Sequence, residues 1–352
     1  MDATTQAPKR FDRQERFAPL GSEGQERLAR AGALLVGCGA LGGSLAQTLV
    51  RCGVGRLVLA DRDVVELTNL PRQVLFEERH VGRPKAEAAL DALHRIGGPT
   101  RIDARAVHVD ADNVEELCAG CDLVLDGTDN LATRYLVNDL CVERGLPWIY
   151  GGVVGASGLV LPVLPGRGAC LRCLFPDPAP PGSLPTCDTA GVILPAVSAV
   201  AAFQAGAALH LLSADAAGRE SYQPFLLDLD AWSGLARRLP ALRDPDCPCC
   251  ARRDFPFLHE PVERSAVSLC GRDTVQVRPQ LAPGARPAAP ADLAQIAARV
   301  RLQAAALAHD PGLLRFQVEG VRFTVFPDGR ALIEGTQDVA RARALYDRWV
   351  GA

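Results

Sequence analysis

Short apolar runs alternate with helix-compatible segments over the first half of this 352-residue chain. Residues 33–72 show the pattern most clearly: an apolar run, a glycine-rich turn, a helical stretch, a second apolar run and an acidic end. This order predicts a β–α–β unit. Later segments alternate in the same way, with strands predicted at 102–109, 121–130 and 147–165 and helices at 81–96, 113–119 and 133–144. We therefore predict an α/β fold, a Rossmann-like mixed sheet with helices on both faces.

Two flanking segments carry different patterns. Residues 1–10 are polar and are expected to be a disordered tail, and residues 11–28 read as a helical arm followed by a short helix. Residues 191–212 have no formal charge and nearly the length of a membrane span, but they contain proline, serine, glutamine and histidine and lack a flanking Lys/Arg cluster. A buried or subunit-interface helix is the favoured interpretation, and a membrane helix is the alternative.

The composition changes near residue 261. A proline- and alanine-rich stretch predicts a linker over 261–291, which separates residues 11–260 from a small α+β module at 292–352. In that module we expect a helix at 292–308, a hairpin and a last helix at 339–350. Phe316, Val318, Val321, Phe323 and Val325 alternate with period two and are expected to form one face of the hairpin core.

Charge and cysteine content limit the function. The formal net charge is −3 and no dense basic run is present, so nucleic acid is not expected as the main partner. The N-terminus has no apolar core of the signal-peptide type, which predicts a cytoplasmic protein. Twelve cysteines in that compartment would be reduced, so they are candidates for metal ligands, nucleophiles or core residues.

The glycine-rich turn predicts a nucleotide site. Gly37, Gly39 and Gly42 have the G-x-G-x-x-G spacing, in which the glycines allow a tight turn, close approach of a phosphate and helix–strand packing. Asp61 follows about 20 residues later, where an acid accepts hydrogen bonds from a ribose. The fingerprint alone suits NAD, FAD and ATP. Lys85 lies in the first turn of a predicted helix, where the helix dipole disfavours a cation, so an anion is expected nearby.

A second polar group ends the strand segment predicted at 121–130. Asp126, Thr128, Asp129 and Asn130 stand at its carboxyl end, where open α/β sheets bind ligands. An ordinary turn with a helix N-cap would use the same residue types. The pattern leaves both interpretations open.

Two C-x-x-C pairs are a more specific signal. Cys170 with Cys173 and Cys247 with Cys250 form the pattern of a structural four-thiolate zinc site, with a redox pair as the alternative. Cys249 competes with its neighbours for the second pair. Cys187 stands in a proline- and glycine-rich loop and is either a nucleophile or incidental. The remaining cysteines in apolar segments are expected in the core: Cys38, Cys52, Cys118, Cys121 and Cys141.

The order of these motifs carries a family resemblance. The series FDRQ, GCGALG, DRD, TNLPRQ, GRPK, LDGTDN, CLRC, TCDTAGV and CPCC resembles the E1-like adenylyltransferases of the MoeB, ThiF and HesA kind over residues 10 to 255. Members activate small ubiquitin-like sulfur carriers. Two-domain relatives carry a C-terminal rhodanese, whose cysteine loop is not found in residues 264–352. The C-terminal sequence also has no Gly-Gly ending, so the last module does not look like a fused carrier, and we expect a docking or regulatory role for it.

The resemblance implies a homodimer that uses ATP and Mg²⁺ to adenylate the terminal glycine carboxylate of a Gly-Gly-ended carrier. By motif position, the residues implied to bind the nucleotide are Gly37, Gly39, Ala40, Gly42, Asp61, Thr68, Asn69, Arg72, Lys85, Asp129 and Asn130. Arg72, Lys85 and Asp129 would act in catalysis, Asp129 would hold magnesium, and Arg13 would reach the neighbouring subunit's ATP site. Zinc would lie on Cys170, Cys173, Cys247 and Cys250. Cys187 would form a thioester or persulfide.

Three alternatives are weighed against this hypothesis. A nicotinamide-dependent dehydrogenase would share the glycine turn and Asp61 but would not need Arg72, Lys85 and Asp129. An adenylating dehydratase acting on a tRNA base belongs to the same superfamily. A non-catalytic scaffold stabilised by zinc would not bind ATP.

Overall fold

The computed structural model describes residues 10–179, 187–260, 266–268, 273–279, 290–310 and 312–351. The chain divides into two compact units. The first comprises residues 1–178 and 192–259, and the second comprises residues 179–191 and 260–352.

The first unit begins with the two helices predicted for the arm and continues as alternating strands and helices. Its elements up to the first antiparallel strands are α1 (Asp12–Glu15), α2 (Gly21–Arg30), β1 (Gly32–Val36), α3 (Ala40–Cys52), β2 (Arg56–Ala60), α4 (Lys85–Ile96), β3 (Arg101–Arg105), α5 (Val114–Cys118), β4 (Leu123–Asp126), α6 (Leu131–Arg144), β5 (Trp148–Val154) and β6 (Ser157–Val163). Between β2 and α4 lie two 3-10 turns, Leu67–Asn69 and Glu78–His80.

The rest of the chain up to residue 259 completes the sheet. Its elements are α7 (Leu171–Leu174), α8 (Cys187–Ala190, in the second unit), α9 (Leu194–Ser213), α10 (Ala216–Ser221), β7 (Phe225–Asp230), β8 (Leu235–Pro240) and α11 (Pro256–His259). The strands form one eight-stranded sheet in the order β3-β2-β1-β4-β5-β6-β7-β8. The five strands from β3 to β5 are parallel, and β6, β7 and β8 are added antiparallel.

Helices cover both faces of this sheet, as predicted. Leu34 and Leu35 on β1 point to opposite faces and belong to two separate cores. One core includes Leu45 of α3 and Val200 of α9, and the other includes Leu140 of α6. All five residues of β1 are buried, which explains its continuous apolar run. Because β1, β2 and β4 are parallel neighbours, their carboxyl ends lie together at one edge of the sheet.

Helix α9 corresponds to the uncharged segment of the sequence. Within the described residues it is the one helix long and apolar enough to cross a bilayer. It packs against α3, β5 and β6, and most of that apolar window is buried in the protein. Ala196, Val197 and Val200 on its inner face are fully or almost fully buried. This packing supports the interpretation as a core helix.

The second unit contains a separate six-stranded antiparallel sheet with two longer helices. Besides α8, its elements are β9 (Ala266–Ser268), β10 (Thr274–Val277), α12 (Leu293–Val300), β11 (Ala306–Asp310), β12 (Leu313–Val318), β13 (Val321–Val325), β14 (Ala331–Glu334) and α13 (Val339–Trp349). The strand order is β11-β12-β13-β14-β10-β9. The predicted hairpin is present as β12 and β13, and the rings of Phe316 and Phe323 stack 4.6 Å apart in its core.

Several boundaries differ from the prediction. The predicted linker at 261–291 contains β9 and β10, and β10 is an interior strand whose four residues are buried. The helix predicted at 292–308 ends at Val300, because residues 306–310 pair with β12 instead. The strand predicted at 102–109 ends at Arg105, and β7 and β8 were not predicted. Residues 1–9 and 280–289 lie outside the described residues.

Candidate functional site

The glycine turn joins β1 to α3, and two of its glycines are required by the protein's own backbone. Gly37 has φ +91°, and a Cβ there would lie 2.6 Å from the carbonyl oxygen of Gly127. A Cβ on Gly42 would lie 1.9 Å from the carbonyl oxygen of Gly37. A side chain at either position would therefore collide with backbone.

Gly39 differs from its two neighbours in the fingerprint. The nearest atom to a Cβ placed on it is Nε2 of Gln73, at 3.8 Å, which is an ordinary contact distance. Helix α3 begins at Ala40 and no side chain caps it. Because the first N–H groups of a helix have no partner within the helix, this N-terminus can bind an anion. The space beside the Gly39 backbone is thus open.

Asp61 follows β2 and ties the glycine turn to that strand. One carboxylate oxygen accepts a hydrogen bond from the Cys38 N–H at 2.6 Å, and the other accepts from the Asp63 N–H at 2.7 Å. Burial raises the pKa of Asp61, and the nearby positive charge of Lys85 opposes that increase. The hydrogen bonds show a role in shaping the turn, and the predicted contact with a ribose remains a prediction.

Lys85 opens α4 and is almost completely buried. Its Nζ lies 3.2 Å from an Asp63 carboxylate oxygen, and its side chain is 4% exposed. The anion expected beside this lysine is therefore present in the protein itself. The charge of Lys85 acts on Asp61 as well as on Asp63. The acidic residues that follow β2 therefore lie next to the start of α4.

The segment before Gln73 holds the predicted triphosphate residues. Asn69 is buried, and its Oδ1 accepts a hydrogen bond from the Glu66 N–H at 3.3 Å. Thr68 is exposed, and its hydroxyl donates to the Glu66 carboxylate. Arg72 donates to the Thr68 carbonyl oxygen at 2.9 Å, and in the described part of the chain it forms no ion pair with a carboxylate. Its guanidinium retains donors for an anionic ligand.

A buried ion pair organises the end of β4. Arg134 of α6 donates from Nε to an Asp126 carboxylate oxygen at 2.9 Å, and its Nη2 donates to the carbonyl oxygens of Thr128 and Gly151. Burial raises the pKa of Asp126, and the charge of Arg134 opposes the rise. Gln204 of α9 donates to the Asp126 carbonyl oxygen at 2.9 Å. Together they hold the loop that follows β4.

Asp129 and Asn130 separate the two interpretations of that loop. Asn130 is the N-cap of α6, since its Oδ1 accepts a hydrogen bond from the Thr133 N–H at 3.0 Å. The capping interpretation is thus confirmed for Asn130. Asp129 is exposed and is not used as a cap, so its carboxylate can bind a cation. Arg13 lies on α1 with an exposed side chain and forms no hydrogen bond or ion pair with other described residues.

The four predicted cysteines form one cluster. The sulfurs of Cys170, Cys173, Cys247 and Cys250 all lie within 4.8 Å of one another. The Cys170–Cys247 and Cys173–Cys250 sulfur distances are 3.6 and 3.5 Å. A tetrahedron of thiolates around zinc has an edge of about 3.8 Å. The arrangement can hold a metal ion.

Cys249 lies behind the cluster, which resolves the ambiguity of the second pair. Its sulfur accepts a hydrogen bond from Nδ2 of Asn138 at 3.2 Å, while Oδ1 of the same amide accepts from the Leu171 N–H at 2.9 Å. The neighbouring α6 residue Asp139 pairs with Arg172 at 3.5 Å, and both side chains are buried. Helix α6 thus links the cluster to the sheet.

The other cysteines divide by burial. Cys38 and Cys141 are fully buried, as expected of core residues, and burial raises the pKa of both thiols. Cys52, Cys118 and Cys121 are only partly buried. Cys187 begins α8 in the second unit, and its side chain lies outside the described residues.

Sequence reasoning missed three buried polar side chains at this edge: Arg134, Gln73 and Gln204. Arg134 has the signal that singled out Lys85, a cation near the start of a helix. Gln204 interrupts an otherwise apolar helix, which also marks a buried polar contact. Gln73 stands in an irregular loop, where no periodicity reveals burial.

Comparisons with known proteins find the same family over most of the chain. The profile of the ThiF family matches residues 11–249. The sulfur carrier protein ThiS adenylyltransferase of Bacillus subtilis is 41% identical over 346 residues, covering 97% of this chain and 99% of that protein. The sulfur carrier protein adenylyltransferase of Thermus thermophilus is 41% identical over 269 residues, covering 74% of this chain and 96% of that protein.

Other relatives and solved structures extend the comparison. The SAMP-activating enzyme E1 of Haloferax volcanii is 37% identical over 262 residues, covering 74% of this chain and 96% of that protein. The crystal structure of E. coli MccB with ATP has a TM-score of 0.60 at 21% identity, covering 70% of this chain and 75% of that one. At this identity the structural likeness supports the fold alone.

Proposed function

Because the chain belongs to the ThiF family, we propose that it adenylates the C-terminal glycine carboxylate of a ubiquitin-like sulfur carrier of the ThiS type and releases pyrophosphate. The chain is an enzyme of the adenylyltransferase class. One observation carries the proposal: the open backbone at Gly39 faces a segment whose Arg72 has no carboxylate partner in the described chain. These features suit a triphosphate, which needs both close backbone approach and cationic donors.

The extent of the matches favours a ThiS-type carrier. The Bacillus subtilis relative is similar over 97% of this chain, so the match includes most of the C-terminal unit. The Thermus and Haloferax relatives match 74% of it. A C-terminal unit shared with a ThiS adenylyltransferase supports a carrier of the same kind. We propose that this unit has a docking or regulatory role.

The nucleotide would lie across the ends of β1, β2 and β4. Gly39 and Ala40 would line the phosphates, Asp61 would accept from the ribose, and Arg72 and Lys85 would neutralise the triphosphate. Thr68, Asn69 and Asn130 would shape the surrounding loops, as their hydrogen bonds indicate. Mg²⁺ bound at Asp129 would supply further neutralisation of phosphate charge.

The residues present suit the chemistry of acyl adenylation. A carrier carboxylate oxygen attacks the α-phosphorus, a new P–O bond forms, and the bond to pyrophosphate breaks. The carboxylate is already ionised at neutral pH, so no general base is needed. The main barrier is repulsion between the carboxylate and the triphosphate, which Arg72 and Lys85 would reduce in the transition state. In a homodimer, Arg13 of the neighbouring subunit would add a third cation.

The cysteine cluster would hold structural zinc. Four thiolates form a closed ligand shell, which leaves no position for a substrate. Cys187 would act after adenylation: its thiolate would attack the carrier's acyl carbon, form a thioester and release AMP. A persulfide form would additionally need an external sulfur donor.

The test is ATP–pyrophosphate exchange with purified protein, alone and with each small Gly-Gly-ended carrier from the same cell. We expect exchange that depends on one carrier. A Cys187→Ala variant should retain this exchange, since it would lack only the later transfer. Absence of exchange with every carrier, in protein that binds ATP, would reject a protein substrate and favour the tRNA-base alternative.

A further inference from the structure

Gln73 has a buried side chain beside the glycine turn, and its amide oxygen, Oε1, forms no hydrogen bond with the described residues. The residue is 4% exposed. Its Nε2 is the nearest atom to the point where a Cβ on Gly39 would stand, at 3.8 Å. We propose that Gln73 binds the phosphates of the nucleotide directly, donating a hydrogen bond from Nε2. The inference rests on the proposed function, because it assumes that a nucleotide occupies this site.

The backbone around Gln73 holds the side chain in this place. Its N–H donates to the Asn69 carbonyl oxygen at 2.9 Å, and its carbonyl oxygen accepts from the Phe76 N–H at 3.0 Å. Leu75 and Phe76, which follow it, are both buried. The backbone that carries Gln73 is thus held within a packed segment.

A buried amide oxygen without a hydrogen bond is unfavourable for the protein alone. Leaving a buried polar group unsatisfied destabilises a fold by about 1–3 kcal/mol. Gln25 provides the contrast, since its Nε2 donates to the Cys52 carbonyl oxygen at 3.0 Å and its Oε1 accepts a hydrogen bond from Nε2 of Gln14 at 2.6 Å. Both ends of that buried amide are used within the protein. Nε2 of Gln73 instead lies beside the glycine turn, next to Gly39.

The surroundings indicate which ligand chemistry the amide meets. The uncapped N-terminus of α3 and the guanidinium of Arg72 both favour an anion at this edge of the sheet. A phosphate oxygen offers only acceptor sites, so Nε2 is the end of the amide that it uses. A neutral donor at this point adds a hydrogen bond without adding charge.

The test separates nucleotide binding from stability. Gln73→Met preserves the length of the side chain and removes the polar atoms, and Gln73→Glu places a negative charge beside the phosphates. We expect Gln73→Met to leave the Tm of the nucleotide-free protein unchanged or raised by a few degrees, and to weaken ATP·Mg²⁺ binding in equilibrium dialysis about tenfold. Gln73→Glu should weaken binding further.

Gln25→Met is the matched control, because it also replaces a buried glutamine, one whose amide hydrogen-bonds only to Gln14 and Cys52 among the described residues. It should lower the Tm through loss of two hydrogen bonds, with ATP affinity of the folded protein changed less than twofold, within about 0.4 kcal/mol. A Gln73→Met protein with unchanged ATP affinity, or with a lowered Tm whatever its affinity, would overturn the inference. If the wild type binds ATP and Gln73→Met weakens that binding, but no carrier supports pyrophosphate exchange, the proposed function fails and this inference stands.

Discussion

The nucleotide edge of the sheet and the cysteine cluster differ in how they satisfy their polar groups. At the cluster, both ends of the Asn138 amide are hydrogen-bonded, and the four sulfurs face one another. At the nucleotide edge, the Oε1 of Gln73 has no partner among the described residues, and Asp129 is exposed. Both regions are built on the same sheet and share α6. Around the cluster the supporting amide finds its partners within the protein, whereas at the nucleotide edge polar groups remain available, as the proposed function requires.

The physical reason lies in the free energy of buried polar groups. A structural site gains most when its own residues supply every partner, because unsatisfied groups destabilise the fold. A site that binds and releases a ligand must keep donors available, and it loses some stability for that reason. Substitution of groups whose partners lie within the protein should therefore reduce stability, and substitution of groups left available at the nucleotide edge should reduce activity.

The largest loss of stability is expected for substitutions in the cysteine cluster. Replacing Cys170 by Ser removes one thiolate, and zinc binding contributes on the order of 10 kcal/mol in small structural sites. We expect loss of bound zinc and of a cooperative unfolding transition, measured by metal analysis and by thermal denaturation. Cys118→Ser, at a partly buried cysteine outside the cluster, should retain the metal. A stable Cys170→Ser protein that contains no metal would show that the cluster is not a structural metal site.

The next largest effect is expected for Arg134→Met. It leaves the buried carboxylate of Asp126 without its counter-ion, which should destabilise the fold by about 3–5 kcal/mol near neutral pH. Burial already raises the pKa of Asp126, and loss of the opposing charge of Arg134 should raise it further. The folded state then holds the proton more tightly than the unfolded state, so stability increases as the pH falls through the folded pKa.

Urea unfolding of this variant at pH 7.5 and pH 5 measures that effect. The stability difference from the wild type should narrow at the lower pH. Adding Asp126→Asn to Arg134→Met should recover part of the loss at pH 7.5. A difference that is the same at both pH values would contradict the role assigned to the ion pair.

Arg72→Ala should affect activity rather than stability. The single hydrogen bond of its side chain in the described chain goes to the nearby Thr68 carbonyl oxygen, so the Tm should change little. Loss of a cation that stabilises transition-state charge typically lowers the rate by about 10²–10³. Carrier-dependent pyrophosphate exchange measures the loss. Arg79→Ala, which removes an exposed arginine paired with Glu77, should retain full exchange. Equal activity of the two variants would remove Arg72 from the site.

The smallest effects are expected for alanine substitutions at two glycines of the same turn, one of which should change stability and the other ATP affinity. Gly42→Ala would place a Cβ 1.9 Å from the Gly37 carbonyl oxygen, so the backbone must shift and stability should fall by about 1–3 kcal/mol. Gly39→Ala meets no atom closer than 3.8 Å, so the fold should tolerate it. ATP affinity should nevertheless fall, because the new methyl group occupies the space left for a phosphate. Equal ATP affinity of Gly39→Ala and the wild type would mean that the nucleotide lies elsewhere.

The comparison also explains which parts of the site were predictable. The glycine spacing, the two C-x-x-C pairs and the cation at the start of α4 are local patterns, and each was found where expected. The position of Asn130 was predicted, but its role was not, because caps and ligands use the same residue types. The role became clear from its hydrogen bond to the Thr133 N–H.

The errors in the fold have a common origin. Residues 292–308 have the composition of one helix, yet residues 306–310 form an edge strand because β12 offers a pairing partner. Strand β10 lies in a predicted linker because β14 and β9 flank it on both sides. Pairing between strands distant in sequence overrides local propensity, and a single sequence does not display it.

The sequence by itself determined the alternation of strands and helices, the glycine turn at the first crossover and the pairing of cysteines into a four-thiol set. These features repeat at short range, where backbone geometry and residue type are sufficient. Only the tertiary structure decided that Asp126 pairs with Arg134, that Cys249 lies outside the cluster and that Gln73 is buried beside Gly39. Burial and partnership depend on which distant segments the sheet brings together, and that information exists only once the chain is folded.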